Sequence, residues 1–86
     1  MKLTNAKLMN KKHPTTFEIP TEKELSKVDV GTLVKLIFDG KERMWVKVIK
    51  RDNNNFEGIL DNDPFNLPIK SGDKVKFKKD NITDIY

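Results

Sequence analysis

From Gly31 onward, apolar and polar residues alternate with the period of two that marks a half-buried strand. Leu33-Val34-Lys35-Leu36-Ile37-Phe38 puts Val34, Leu36 and Phe38 on one face. Leu33 and Ile37 stand on the other, so that face is expected to be partly covered too. Asp39-Gly40 follows, a pair that favours positive φ and hence a hairpin turn. The return strand is Lys41-Glu42-Arg43-Met44-Trp45-Val46-Lys47-Val48-Ile49-Lys50, with Met44, Val46 and Val48 on one face and Arg43, Trp45, Lys47 and Ile49 on the other. Alternation on both sides of the turn predicts a hairpin, and this is the organising element of the chain.

Arg51-Asp52-Asn53-Asn54-Asn55 reads as a polar loop, because asparagine tolerates left-handed backbone. Phe56-Glu57-Gly58-Ile59-Leu60 is a third strand. Its Gly58 predicts a bulge, a sharp bend or the close approach of another group. Asp61-Asn62-Asp63-Pro64 ends it. Phe65, Leu67 and Ile69 alternate, but Pro68 in the same run limits them to an edge strand or an extended loop. After the turn Ser71-Gly72-Asp73, Lys74-Val75-Lys76-Phe77-Lys78 points Val75 and Phe77 inward and three lysines outward. Residues Asn81 to Tyr86 close the chain as a helical turn or a short strand.

The N-terminal third carries a different signal. Met1 to His13 fits a helix or an extended segment, and His13-Pro14 ends any helix there. Thr15 to Ile19 reads as extended. Thr21 and Glu24 have capping-box spacing, which predicts a short helix over Glu22 to Lys27 with Leu25 and Val28 on its apolar face. The expected fold is mostly β (α+β). It is a small curled antiparallel sheet, or an SH3-like partly open barrel, of four to five strands with one short N-terminal helix. The domain organisation is an N-terminal segment, 1–13, whose order is left open, and a single compact domain over 14–86.

Composition narrows the chemistry. At 86 residues the chain is one domain with a thin core. It has no cysteine, which excludes disulfides, thiolate zinc sites and thiol catalysis. The first nine residues hold no apolar run of the kind a signal peptide needs, and Leu36-Ile37-Phe38 is far too short to cross a membrane. A cytoplasmic protein without membrane contact is expected, as a monomer or a homodimer. Seventeen basic against thirteen acidic residues give a formal charge of +4, nearly all of the basic residues being lysine. That is a milder and less arginine-rich excess than nucleic-acid-binding domains usually carry.

Few residues point to a site. Arg43 and Trp45, neighbours at i and i+2 on one strand face, can stack as cation on indole, and both types dominate binding hot spots. The plainer reading is that Trp45 is core, with Arg43 covering it. Asp61-Asn62-Asp63 resembles a calcium loop, but the sixth and twelfth positions counted from Asp61 are Asn66 and Gly72, not glycine and glutamate. The run is therefore a turn, or, with Phe65 beside it, a recognition loop. Lys74, Lys76 and Lys78, with Lys79, form a basic strand edge. It can meet an acidic partner or phosphates, or simply protect the edge from aggregation. Lys47 adds charge to the Trp45 face. His13 stands alone, the four glycines are scattered, and no catalytic, metal or cofactor pattern emerges.

Leu33–Phe38, then Glu42-Arg43-Met44-Trp45-Val46, Gly58-Ile59-Leu60-Asp61-Asn62-Asp63-Pro64, Gly72-Asp73-Lys74-Val75-Lys76-Phe77 and Ile82-Thr83-Asp84 occur in this order. In this the chain resembles the YegJ-like bacterial domain of unknown function, which is similar to immunity-protein domains of toxin loci. The resemblance covers residues 14–86. It implies a mixed or mostly-β domain and no known enzyme activity, so no catalytic residue is carried over. The immunity link implies a protein partner, a toxin or other effector that is bound and blocked. The expectation is a non-enzymatic protein-binding module of immunity or inhibitor type, with contacts from Arg43, Trp45, Lys47, the Asp61–Phe65 loop and the lysine edge. The alternative is a nucleic-acid-binding small barrel in which Trp45 or Phe56 is a stacking platform.

Overall fold

Strand alternation fixes which side chains can share a core, and the pairing of the strands shows how far that rule carries. The computed structural model describes residues 2–86. Five strands follow in chain order: β1 (Leu33–Phe38), β2 (Glu42–Asp52), β3 (Asn55–Leu60), β4 (Lys74–Lys78) and β5 (Asp84–Ile85). They form one antiparallel sheet in the order β4-β3-β2-β1-β5. β4 and β5 are thus the two edges, and a 3-10 turn, Lys79–Asn81, carries the chain from one to the other. Among the described residues no ladder joins these edges, so the curled sheet is open and not closed into a barrel.

The hairpin forms as its alternation requires. Val34 pairs with Val46 and Leu36 with Met44, and all four are buried. Asp39 and Gly40 both adopt positive φ, at 53° and 67°. The turn closes through the Lys41 N–H on the Phe38 carbonyl at 3.0 Å. Phe38 pairs with Glu42, which leaves three residues in the loop, one more than a two-residue turn would hold.

β2 runs two residues past the expected strand. Arg51 and Asp52 continue it, Asn55 already belongs to β3, and the polar loop shrinks to Asn53-Asn54, with Asn53 at φ 56°. The register slips between Val48 and Lys50, so Ile49 is the extra residue of a bulge. Both Ile49 and Lys50 then face out, and Arg51, paired with Phe56, faces in. Gly58 sits opposite Val48, where the strands come too close for a side chain. A Cβ there would collide with Val46 Cγ1 and lie 2.8 Å from the Lys47 carbonyl oxygen. Of the three readings of Gly58, close approach holds for the glycine itself, and the bulge lies on the facing strand.

Two helices, not one, precede the sheet: α1 (Ala6–Lys12) and α2 (Glu22–Ser26). α1 is capped by the Asn5 side chain and ends at His13, before Pro14. Leu3 bridges to Phe38, and the Thr4 N–H donates to the Ile37 carbonyl, so the first residues line the edge of β1 beyond β5. α2 has the full capping box: the Thr21 hydroxyl accepts from the Glu24 N–H and the Glu24 carboxylate accepts from the Thr21 N–H. Leu25 and Val28 cover the inner face of the sheet with Ile82, while Leu67 and Ile69 pack against the same core from a loop. The 65–69 run is that loop and not an edge strand.

Candidate functional site

The sheet's other face is left largely to solvent. Pairing places Leu33, Lys47, Ile59 and Lys74 in one row across it. Lys50, Glu57 and Lys76 make a second row, and Asp52, Asn55 and Lys78 a third. Lys35 pairs with Trp45 and Asp84, and Ile37 with Arg43. The face therefore carries seven basic side chains, Lys35, Arg43, Lys47, Lys50, Lys74, Lys76 and Lys78, against Asp52, Glu57, Asp84 and Asp61, the last opposite Trp45 at the end of β3. That leaves an excess of three positive charges on the face, against +4 for the entire chain. Only one ion pair lies within this set, Lys76 Nζ to Glu57 at 3.9 Å.

Trp45 is half-buried in the middle of this surface. Its indole meets the Tyr86 ring edge-to-face, with centroids 5.8 Å apart. The cation over the indole is Lys35, its Nζ 4.8 Å from the centroid. The expected Arg43–Trp45 stack does not form, because Arg43 lies over Phe17 at 5.8 Å instead. Phe17 ends a turn over Pro14–Thr16, in which the Thr16 and Phe17 N–H groups donate to the His13 carbonyl, so the expected extended run from Thr15 to Ile19 does not begin until after Phe17. Phe56 is buried and stacked on Phe77, with centroids 5.2 Å apart, so it offers no platform to a base.

The Asp61–Phe65 loop divides by role. The Asp61 N–H donates to the Trp45 carbonyl and the Asn62 side chain accepts from the Trp45 N–H, at 2.9 and 2.7 Å. These two residues clamp the backbone of the strand that carries the indole. Asp63 accepts from the Ser71 N–H, pinning the two ends of the loop together. The Glu42 carboxylate accepts from the Phe65 and Asn66 N–H groups at 3.0 and 2.8 Å. The Phe65 ring itself is 96% exposed. Arg43, Trp45, Lys47, Lys74, Lys76 and Lys78 thus share one face, whereas the Asn62 and Asp63 side chains are occupied in holding the loop and Asp61 holds it through its backbone N–H.

Sequence reasoning missed Lys35, Lys50 and Tyr86 on this face. Lys35 was legible, being the polar position between Val34 and Leu36. Lys50 faces out only because of the bulge, and Tyr86 reaches Trp45 only because β5 pairs with β1. A cleft of about 590 Å³ lies beside Arg43, between the 15–20 segment and β5, lined also by Lys35, Glu24 and Asp84. Its two cations share the lining with three carboxylates, Glu18, Glu24 and Asp84, of which Glu24 accepts the Thr21 N–H and Asp84 the Ile85 N–H. The bond from Thr21 holds the Glu24 carboxyl below its ordinary pKa.

The family of uncharacterised proteins conserved in bacteria, DUF2314, matches residues 5–86, so the chain belongs to it. The match takes in α1 as well as the sheet. No curated protein and no solved structure matches the chain.

Proposed function

We propose that this DUF2314 protein is a non-enzymatic binding module that docks the outer face of its sheet on an acidic protein surface. One observation carries the reading: most of the net positive charge of the chain is gathered on one sheet face, around a half-buried tryptophan and a tyrosine that is 89% exposed. Clustered like charge steers association with an oppositely charged partner, and aromatic groups at the centre of a contact supply its affinity. The resemblance to YegJ-like and immunity-type domains adds the biological form of the reading: a bacterial effector is bound and its working surface covered. Nucleic acid is the competing partner, since lysines also meet phosphates. It is the weaker reading, because Phe56 is buried and one face of the Trp45 indole is taken by Lys35.

The test is comparative capture from a nuclease-treated lysate of the native host. The bait is the native chain or the charge-reversed variant Lys47→Glu/Lys74→Glu/Lys76→Glu. The expected result is one recurrent acidic protein, held by the native chain and released by the variant, whose activity falls when the native chain is added. Equal capture by both baits, or capture of RNA alone from untreated lysate, overturns the reading.

A further inference from the structure

β4 is the only strand longer than two residues with a ladder on just one side, among the described residues. The bonds Leu60 N–H to Asp73 O and Lys79 N–H to Asn54 O, both 2.9 Å, bracket the β3–β4 ladder and set its phase. In an antiparallel pair the residues that bond to the neighbour alternate with those that point away. Asp73, Val75, Phe77 and Lys79 therefore turn their backbone groups to β3, and Lys74, Lys76 and Lys78 turn theirs outward. The Lys78 N–H is taken by the Asn81 side chain at 2.8 Å, which stops the edge there. Among the described residues, nothing bonds to the outward N–H and C=O groups of Lys74 and Lys76. Their side chains lie on the basic face, while Val75 and Phe77 between them are buried on the inner face.

We infer that the β4 edge accepts an extended segment of a partner protein in which acidic and apolar residues alternate, adding a sixth strand to the sheet. This rests on the protein-binding reading and names the partner's chemistry. An added strand obeys the pleat of its neighbour. Its outward residues stand beside Lys74, Lys76 and Lys78, so carboxylates complement them. Its inward residues stand at the rim of the core beside Val75 and Phe77, so apolar side chains suit them. Lys76 is free to change partners, since its ammonium side chain is 79% exposed and 3.9 Å from Glu57. A second copy of this chain does not fit. Antiparallel β4–β4 pairing sets lysines against lysines on one face, and a one-residue slip would drive them to the apolar side.

The test is an NMR titration of the full chain at low salt with two capped heptapeptides, one alternating glutamate and valine, the other lysine and valine. The acidic peptide is expected to slow hydrogen exchange at the Lys74 and Lys76 amides at least about tenfold, the response of newly formed strand bonds, and the basic peptide to leave them unchanged. Lys76→Pro removes an outward donor while sparing the ladder to β3, and is expected to abolish the response. Lys74→Glu/Lys76→Glu, which leaves the backbone intact, is expected to exchange the peptide preference. Lack of protection at both amides, or equal protection by both peptides, overturns the inference. If the acidic peptide instead shifts only Trp45 and Tyr86, the edge inference fails and the face-docking reading stands.

Discussion

Val34, Val46 and Leu60 lie side by side across β1, β2 and β3, and none is more than 1% exposed. One residue away on the same strands, Leu33, Lys47 and Ile59 form a row on the opposite face, continued by Lys74 on β4. The two rows lie on the same three strands, one residue apart in sequence. They differ in what covers them. α2, Ile82 and the loop carrying Leu67 and Ile69 close over the first, whereas Lys47 and Lys74 in the second are exposed. Burying an aliphatic side chain contributes about 1.5–3 kcal/mol, and a solvated lysine contributes almost nothing of that kind. The inner row therefore holds the fold, and the outer row is free to serve recognition.

The sharpest way to break this contrast is to cut a side chain from the inner face. Phe38 is fully buried at the end of β1, where Leu3 bridges to it. Phe38→Ala is expected to cost about 3–5 kcal/mol. In a domain of ordinary stability, about 5–15 kcal/mol, that is a large share. Urea unfolding followed by Trp45 fluorescence reads it as a fall in midpoint at constant slope. A loss under 1 kcal/mol would mean the inner face is less tightly packed than its burial indicates.

Gly58 and Arg51 probe the point where the two faces exchange residues. Gly58→Ala drives a Cβ into Val46 and the Lys47 carbonyl, and is expected to cost about 1–3 kcal/mol as overpacking. Arg51 is turned inward by the bulge at Ile49. Its Nη1 donates to the Leu25, Ser26 and Val28 carbonyls, at 3.2, 3.2 and 2.6 Å, and its guanidinium lies over Phe56 at 5.0 Å. Arg51→Met keeps the apolar stem and leaves those carbonyls without their donor, at an expected cost of about 1–3 kcal/mol. Thermal unfolding of both variants checks the pair. If Arg51→Met matches the native chain, solvent satisfies the end of α2.

How much of this was legible follows the range of each interaction. The strands, their inner faces, the Asp39-Gly40 turn and the Thr21–Glu24 box depend on residues close in sequence, and the pattern shows them. The inward turn of Arg51 depends on a register slip against β3, which alternation within β2 does not reveal. Read alone, Arg51 opens a polar loop. Arg43 and Trp45 were placed on the right face, but their stacking partners, Phe17 and Tyr86, come from the two ends of the chain. The Asp61–Asn62 clamp on Trp45 is likewise a long-range pairing, and a turn-forming sequence carries no sign of it. α1 stayed undecided because its hold on the sheet comes from Leu3 and Ala6, set against elements more than thirty residues away.

Smaller effects belong to the cap of α2, which lies outside both rows. The Glu24 carboxyl is held below its ordinary value of 4.5, first by the Thr21 N–H it accepts. Glu22 is also held low, by its bond to Lys79 at 2.9 Å. A carboxylate whose pKa is depressed on folding adds stability that is complete above the unfolded value and lost as pH falls through the folded one. Both contributions are thus present at neutral pH and fade below about pH 4.5. Thr21→Ala, which removes the other half of the box, is expected to cost about 1 kcal/mol at pH 7. Unfolding midpoints of both chains at pH 7 and pH 3 test the coupling, and the gap should narrow at the lower pH.

The smallest expected effect on stability is the one that decides the functional reading. Lys47, Lys74 and Lys76 lie on the exposed face and bury almost no area. A surface substitution away from special features moves stability by about 0.5 kcal/mol or less. Converting all three to glutamate turns the +4 of the chain to −2, so it removes the field that would guide an acidic partner. It also takes away the Lys76–Glu57 pair, whose 3.9 Å separation in solvent makes it nearly neutral in stability. The variant is therefore expected to unfold at the native urea midpoint within error and yet to lose its captured protein. Loss of both together would show that these lysines support the sheet itself. Retention of the partner would move recognition off this face, and the exposed Phe65 would be the next residue to change.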